Sequence, residues 1–141
     1  MDAIPILAFY VGEQAYALRI SDVLEVAAMV ELLPMPQAAP EVLGLANRHG
    51  EVLPLLDMRL LMGVPQQQVT ANTFFVVVEH EEQRLGLVVD QINLVKYFAA
   101  HDFQRVPSSA YVKSIVNDGG TILQIIEVAP LFTRVMPRIE A

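Results

Sequence analysis

The amino-acid sequence predicts an all-β fold built from two small barrels packed against each other. Three observations lead there. Short apolar runs recur in pairs around turn residues, which is the pattern of hairpins. Phe74 to Val78 and Leu85 to Val89 hold no charged residue at all, as expected of strands covered on both faces. No long stretch repeats its apolar residues at the period of a helix. The chain has 141 residues, 54% hydrophobic and 18% charged. That length suits one domain or two small subdomains, and its composition argues against disorder.

From the N-terminus, Ile6 to Val11 and Ala15 to Ile20 form a first hairpin around Gly12-Glu13-Gln14. Ser21-Asp22 is a cap pair that permits a short helical turn before Val26. Residues 33–40 carry Pro34, Pro36 and Pro40, which lack ladder donors, so this stretch is a loop or an edge segment. Val42 to Asn47 and Glu51 to Leu56 form a second hairpin around Arg48-His49-Gly50. Met58 to Met62 is one helical turn closed by Gly63, and Val64 to Asn72 is a surface loop. Thr73 to Glu79 and Arg84 to Asp90 make a third hairpin, and Ile92 to Phe98 a further strand. Residues 99–110 are loop-like. Tyr111 to Val116 and Thr121 to Val128 flank Asn117-Asp118-Gly119-Gly120, the strongest turn signal in the chain. From Pro130 the chain is expected to fray, with a flexible tail over 133–141.

Charge and composition exclude several functions. Nine Lys and Arg stand against 16 Asp and Glu, a formal net charge of −7. Affinity for a phosphate backbone comes from counterion release against basic side chains, so nucleic acid is not a partner. Anionic membranes repel such a surface. No apolar run approaches the length of a membrane span, so direct membrane insertion is not expected. The first basic residue is Arg19, so the start lacks the charged region of a signal peptide, and a cytoplasmic protein is expected. There is no Cys, which removes disulfides and thiolate chemistry.

The polar residues do not assemble a reaction centre. His49, His80 and His101 have no metal-ligand spacing. His80 lies beside Glu79, Glu81 and Glu82, which reads either as a metal or small-ligand site or as a solvated hairpin turn. Asp57 and Asp90 each end an apolar strand. They read as an acid–base pair or as caps for the next turn or helix, and capping is the expectation. Phe74, Phe75, Tyr97 and Phe98 are expected in the core. An apolar surplus on a small β-protein leaves exposed patches that mark partner sites. Bare strand edges also leave room for homo-oligomers.

The ordered segments resemble the CheW-like family of chemosensory adaptors. Phe9 to Leu18 is similar to that family's opening hairpin, and Val23-Leu24-Glu25-Val26 to its V-x-E-[IV] turn. Val42 to Arg59 follows the pattern G-x-x-N-x-R-G-x-x-x-P-x-x-D-[LM]-R. Leu85 to Asp90 is similar to its G-[IL]-x-V-D strand, and Tyr111 to Leu131 to its closing strands. The resemblance implies a single domain of two intertwined, five-stranded, SH3-like barrels packed around a shared core, and a protein with no catalytic activity, no cofactor and no bound metal. It implies two partners, the regulatory domain of a CheA-type histidine kinase and the tip of a methyl-accepting chemotaxis receptor.

Position by position, the resemblance places Val23, Glu25 and Gly44 at the kinase contact. A lysine at Gly44 would then obstruct docking in a folded protein. Asn47, Arg48 and His49 fall in the receptor-contact region, with Asn47 as a turn asparagine. Gly50, Pro54, Asp57 and Asp90 are structural. The family's N-x-R-G is here Asn47-Arg48-His49-Gly50, so His49 stands where the family has arginine. That departure points to an alternative, a divergent array controlling pili or development that keeps the kinase arm.

Overall fold

The structure, a computed structural model, describes residues 3–107 and 109–139, with side chains as far as 135. Twelve strands run as β1 (Ala3–Val11), β2 (Gln14–Arg19), β3 (Val23–Ala28), β4 (Leu32–Leu33), β5 (Val42–Arg48), β6 (Glu51–Asp57), β7 (Phe74–His80), β8 (Gln83–Val89), β9 (Gln91–Ala99), β10 (Gln104–Arg105), β11 (Val112–Asp118) and β12 (Thr121–Ile126). Among the described residues two α-helices accompany them, α1 (Met58–Leu61) after β6 and α2 (Val128–Ile139) after β12. No described helix is long and apolar enough to cross a membrane.

The strands form two sheets, in the orders β10-β11-β12-β2-β1-β9 and β3-β7-β8-β6-β5-β4. Each therefore holds five longer strands, as expected, plus a two-residue strand at one edge. Chain length forces both sheets to curl. Ala99 of edge β9 and Gln104 of edge β10 are five residues apart, a reach of at most about 17 Å. The edges of a flat six-stranded sheet would lie about 24 Å apart. Ala28 of β3 and Leu32 of β4, four residues apart, close the second sheet in the same way. The ends of the chain build the first barrel and its middle builds the second.

Three apolar clusters explain why so many strands are greasy on both faces. Ile6, Ala8, Ala17, Val116, Leu123 and Ile125 fill the first barrel. Ala27, Ala46, Leu53, Leu55, Phe75, Val77 and Val88 fill the second. Between the barrels lies the largest cluster, where Leu7, Phe9, Val11 and Leu18 meet Leu56, Val76, Val78, Leu85 and Leu87. Side chains alternate along a strand, so β1 and β7 each feed one barrel with one face and the junction with the other.

Several local expectations change. Ser21-Asp22 caps no helix: a 3-10 turn over Ile20–Asp22 has no side-chain cap, and the chain runs straight into strand β3. Helix α2 covers Val128–Ile139, and Val128, Leu131, Phe132 and Val135 are buried against the junction. Pro130 falls in the first turn, where its missing donor is not needed. Arg134 fastens the helix by donating from Nε to Glu41 Oε1 at 3.1 Å, with a second bond from Nη2. The stretch expected to be a flexible tail, 133–141, is helical backbone through Ile139, and residues 140–141 lie outside the described residues.

The two-residue turn of the β7–β8 hairpin is Glu81-Glu82, and both residues have positive φ, 50° and 67°. Such turns favour Asn-Gly because side chains resist that conformation. Glu82→Gly is expected to raise stability by about 1 kcal/mol, read as a higher urea midpoint. An unchanged or lower midpoint would mean the glutamate makes a compensating contact.

Candidate functional site

The residues singled out from the sequence gather on the second barrel. β3 is an edge strand whose pairing to β7 slips between Val23 and Glu25, a bulge that leaves Leu24 between them. Val23 lies half-buried against the junction cluster, and Leu24 is exposed by 46%. From the end of β5, Arg48 Nη2 donates to Glu25 Oε1 at 2.5 Å. The β5–β6 turn is His49-Gly50, with φ of 54° and 81°. Histidine is among the few non-glycine residues that accept that region. Its Nε2 sits 3.8 Å from the same Glu25 oxygen, on a ring that is 73% exposed. Glu25, Arg48 and His49 thus form one cluster, although the resemblance divides them between two partners. Nearby, Arg84 donates from Nη1 to Glu51 at 2.8 Å and from Nε to Glu79 at 3.2 Å.

The hydrogen bond from Arg48, supported by the nearby charges of Arg48 and His49, holds the Glu25 carboxyl below its ordinary value of 4.5. A carboxyl lowered by folding stabilises the native state above its unfolded value and loses that contribution as pH falls through the folded value. Glu25→Gln is therefore expected to be modestly less stable than the parent at pH 7, with the difference shrinking as pH falls below about 4.5, so that its stability profile is flatter there. Urea midpoints measured from pH 3 to 7 check this. Parallel acid limbs for the variant and the parent protein would show that the pair carries no linkage.

The remaining positions have structural settings. Gly44 is buried at a second bulge, where the β5–β6 register shifts between Val42 and Gly44. Its φ is +153°, and a Cβ there would lie 2.6 Å from the Leu33 carbonyl oxygen. The glycine thus admits the β4 backbone. Asn47 is an exposed strand residue paired with Val52, not a turn residue. Pro54 is buried in β6 one residue before the β6–β8 ladder begins at Leu55, so its missing donor falls outside that ladder.

Asp57 caps α1 as expected: Oδ1 accepts from the Arg59 N–H at 2.9 Å. Asp90 does not cap the strand after it. Its carboxylate accepts from Arg59 Nε at 2.9 and 3.1 Å and from the Gly12 N–H at 2.5 Å. Asp57, Arg59 and Asp90 line one polar cavity of about 200 Å³ together with Gln67, Thr70 and Asn72. As a reaction centre this arrangement is poor, because Asp57 already accepts the helix N–H and Asp90 an arginine. Arg59 was missed from the sequence. The D-[LM]-R and V-V-D motifs that carry its two ends were visible, but their pairing across 31 residues was not.

A groove of about 430 Å³ opens where the barrels meet, between Val26 and Phe74 on one side and Gln91 and Ile92 on the other. Its walls are mainly apolar. Phe74 and Tyr97 are exposed, against the expectation that both are core, while Phe75 is buried. His80 stacks obliquely on Phe132 at 5.8 Å, and its Nε2 lies 3.8 Å from Glu81. Among the described residues no group of three or more His, Asp and Glu is placed to hold a metal ion.

Known proteins share this design. The model of the CheW-like domain matches residues 5–136. The chemotaxis protein CheW of Rhizobium meliloti is 26% identical over 133 residues, covering 90% of this chain and 86% of that protein. CheW of Helicobacter pylori is 27% identical over 108 residues, covering 77% of this chain and 66% of its own length. The crystal structure of the scaffolding protein TtCheW from Thermoanaerobacter tengcongensis superposes with a TM-score of 0.83 at 25% identity, covering 90% of each chain. With ordered motifs, two curled barrel-like sheets and a matching family model over most of its length, the chain belongs to the CheW-like domain family.

Proposed function

We propose that this protein is a cytoplasmic adaptor without catalytic activity in a chemosensory pathway. It joins the regulatory domain of a CheA-type histidine kinase to methyl-accepting receptors. The observation that carries the reading is an uncovered apolar strip, Leu24, Val26 and Phe74, running along the edge of the second barrel into the groove between barrels. Such a strip on a small soluble domain marks a partner site. The kinase docks on β3, through Val23, Leu24 and Glu25, with Gly44 shaping the neighbouring β4–β5 backbone. The receptor tip lies in the groove and reaches toward the Asn47–His49 end.

Calorimetry with a purified CheA regulatory domain tests the kinase arm. A one-to-one complex is expected, and Leu24→Asp should weaken it about tenfold or more, the size of a buried anchor's loss. Absence of any complex with regulatory domains of CheA-type kinases would overturn the reading.

A second reading, a divergent array controlling pili or development, is favoured by the cluster at Glu25. Arg48 is tied to that carboxylate, and the turn position offers an imidazole in place of a bidentate guanidinium. Under it, kinase binding persists while a chemotaxis-receptor tip fragment binds weakly, and His49→Arg strengthens the receptor arm.

A further inference from the structure

Among the described residues two segments cross between the barrels. One is the 3-10 turn at Ile20–Asp22, and the other is the single residue Asp90 between β8 and β9. At this second crossing three parts of the molecule converge on one side chain. Arg59 of α1, in the second barrel, holds the Asp90 carboxylate through Nε at 2.9 and 3.1 Å. Gly12, in the β1–β2 turn of the first barrel, donates its N–H to Asp90 Oδ2 at 2.5 Å. The Asp90 N–H in turn donates to the Tyr10 carbonyl at 3.0 Å. Arg59 is itself braced, donating from Nη1 to the Pro65 carbonyl at 2.6 Å.

The chemistry of this clamp differs from that of the greasy interface around it. Apolar burial is non-directional, so the junction cluster supplies adhesion between the barrels but few directional contacts. Hydrogen bonds weaken steeply when bent, and charge-assisted pairs are roughly twice as strong as neutral ones. The two side chains are partly shielded, at 15% and 21% exposure. Asp90 also lines the groove, between Val26 and Phe74 of one barrel and Gln91 and Ile92 of the other. A change of angle at Asp90 therefore changes the groove's width directly.

We infer that Arg59, Asp90 and Gly12 form a positioning clamp that fixes the angle between the barrels and so holds the groove in its docking shape. The docking role rests on the proposal that the receptor tip occupies the groove. The angular role does not. Arg59 and Asp90 act through the groove walls that they hold apart.

The chain has no cysteine, so two introduced ones report the angle cleanly. Spin labels at Val52→Cys and Thr121→Cys, both exposed and on opposite barrels, give an inter-barrel distance distribution by pulsed electron resonance. A narrow distribution is expected for the parent protein, and one at least about twice as broad in Asp90→Asn and Arg59→Ala. Asp90→Asn keeps an acceptor for Gly12 and removes the charge from Arg59, so it remains informative if Arg59→Ala fails to fold. Both variants should also bind a soluble receptor-tip hairpin fragment about five- to tenfold more weakly than the parent does. An unchanged distribution in folded Asp90→Asn overturns the clamp. A broadened distribution with unchanged affinity overturns its link to docking. Collapse of both variants would make the pair a determinant of the whole fold and equally overturn the proposal. If the parent itself fails to bind the fragment, the groove reading falls, while the distance measurement still decides the angular role.

Discussion

Gly44→Ala is expected to destabilise the protein by about 3 kcal/mol. Two terms add. The position has φ of +153°, where side chains are strained, and the new Cβ would lie 2.6 Å from the Leu33 carbonyl oxygen. That neighbour is backbone, fixed by the β4–β5 pairing of Leu33 with Leu45, so it yields only if the edge of the barrel opens. Gly50→Ala is the internal control. Its φ of +81° is also unfavourable, but nothing lies within 4 Å of its Cβ, so its loss should stay near ~1 kcal/mol. Urea unfolding of both variants checks the contrast, and equal losses would show that conformational strain rather than the close approach dominates. Gly44→Lys meets the same carbonyl. It therefore perturbs the fold first, and lost binding in that variant would not by itself locate the kinase surface.

Phe9→Ala should remove about 3–5 kcal/mol, the usual range for truncating a buried aromatic ring. Phe9 is fully buried between the barrels, where its ring stacks on Tyr16 with centroids 6.2 Å apart. Strand β1 also sends Ile6 and Ala8 into the first barrel. A cavity at Phe9 thus loosens the seam shared by both barrels. Unfolding followed by Tyr fluorescence and by far-ultraviolet circular dichroism should remain one coincident transition, displaced to lower denaturant. Separate transitions would mean that the barrels fold independently and that the shared cluster does not couple them.

Much of the architecture was legible in the chain. Gly119-Gly120 and His49-Gly50 mark hairpin turns because their residues tolerate positive φ. Phe74 to Val78 and Leu85 to Val89 read as strands covered on both faces because no position along them is charged. Helix α2 was legible and overlooked. Val128, Leu131, Phe132 and Val135 keep the i, i+3, i+4, i+7 spacing of a helix face, and Pro130 obscured it. β3 was harder, since Ser21-Asp22 imitates a helix cap and the strand after it bears a bulge.

The candidate site was legible as a set of residues but not as a geometry. Val23, Glu25 and the Asn47–His49 run were chosen through resemblance. That Arg48 would reach across to Glu25 depends on β5 and β3 lying at opposite sides of one curled sheet. Asp90 looked like a local cap, and its partners proved to be Arg59 and Gly12, 31 and 78 residues away.

Alternation, glycine turns and apolar density, all local properties, determined that this chain makes short paired strands and a large core. Which face of each strand finds a neighbour was decided by how the barrels close and pack. Phe74 and Phe75 are chemically identical neighbours, yet one faces solvent at the groove and the other fills a barrel. The physical reason is that a strand specifies two faces, and only the arrival of a second surface from a distant part of the chain removes one of them from water.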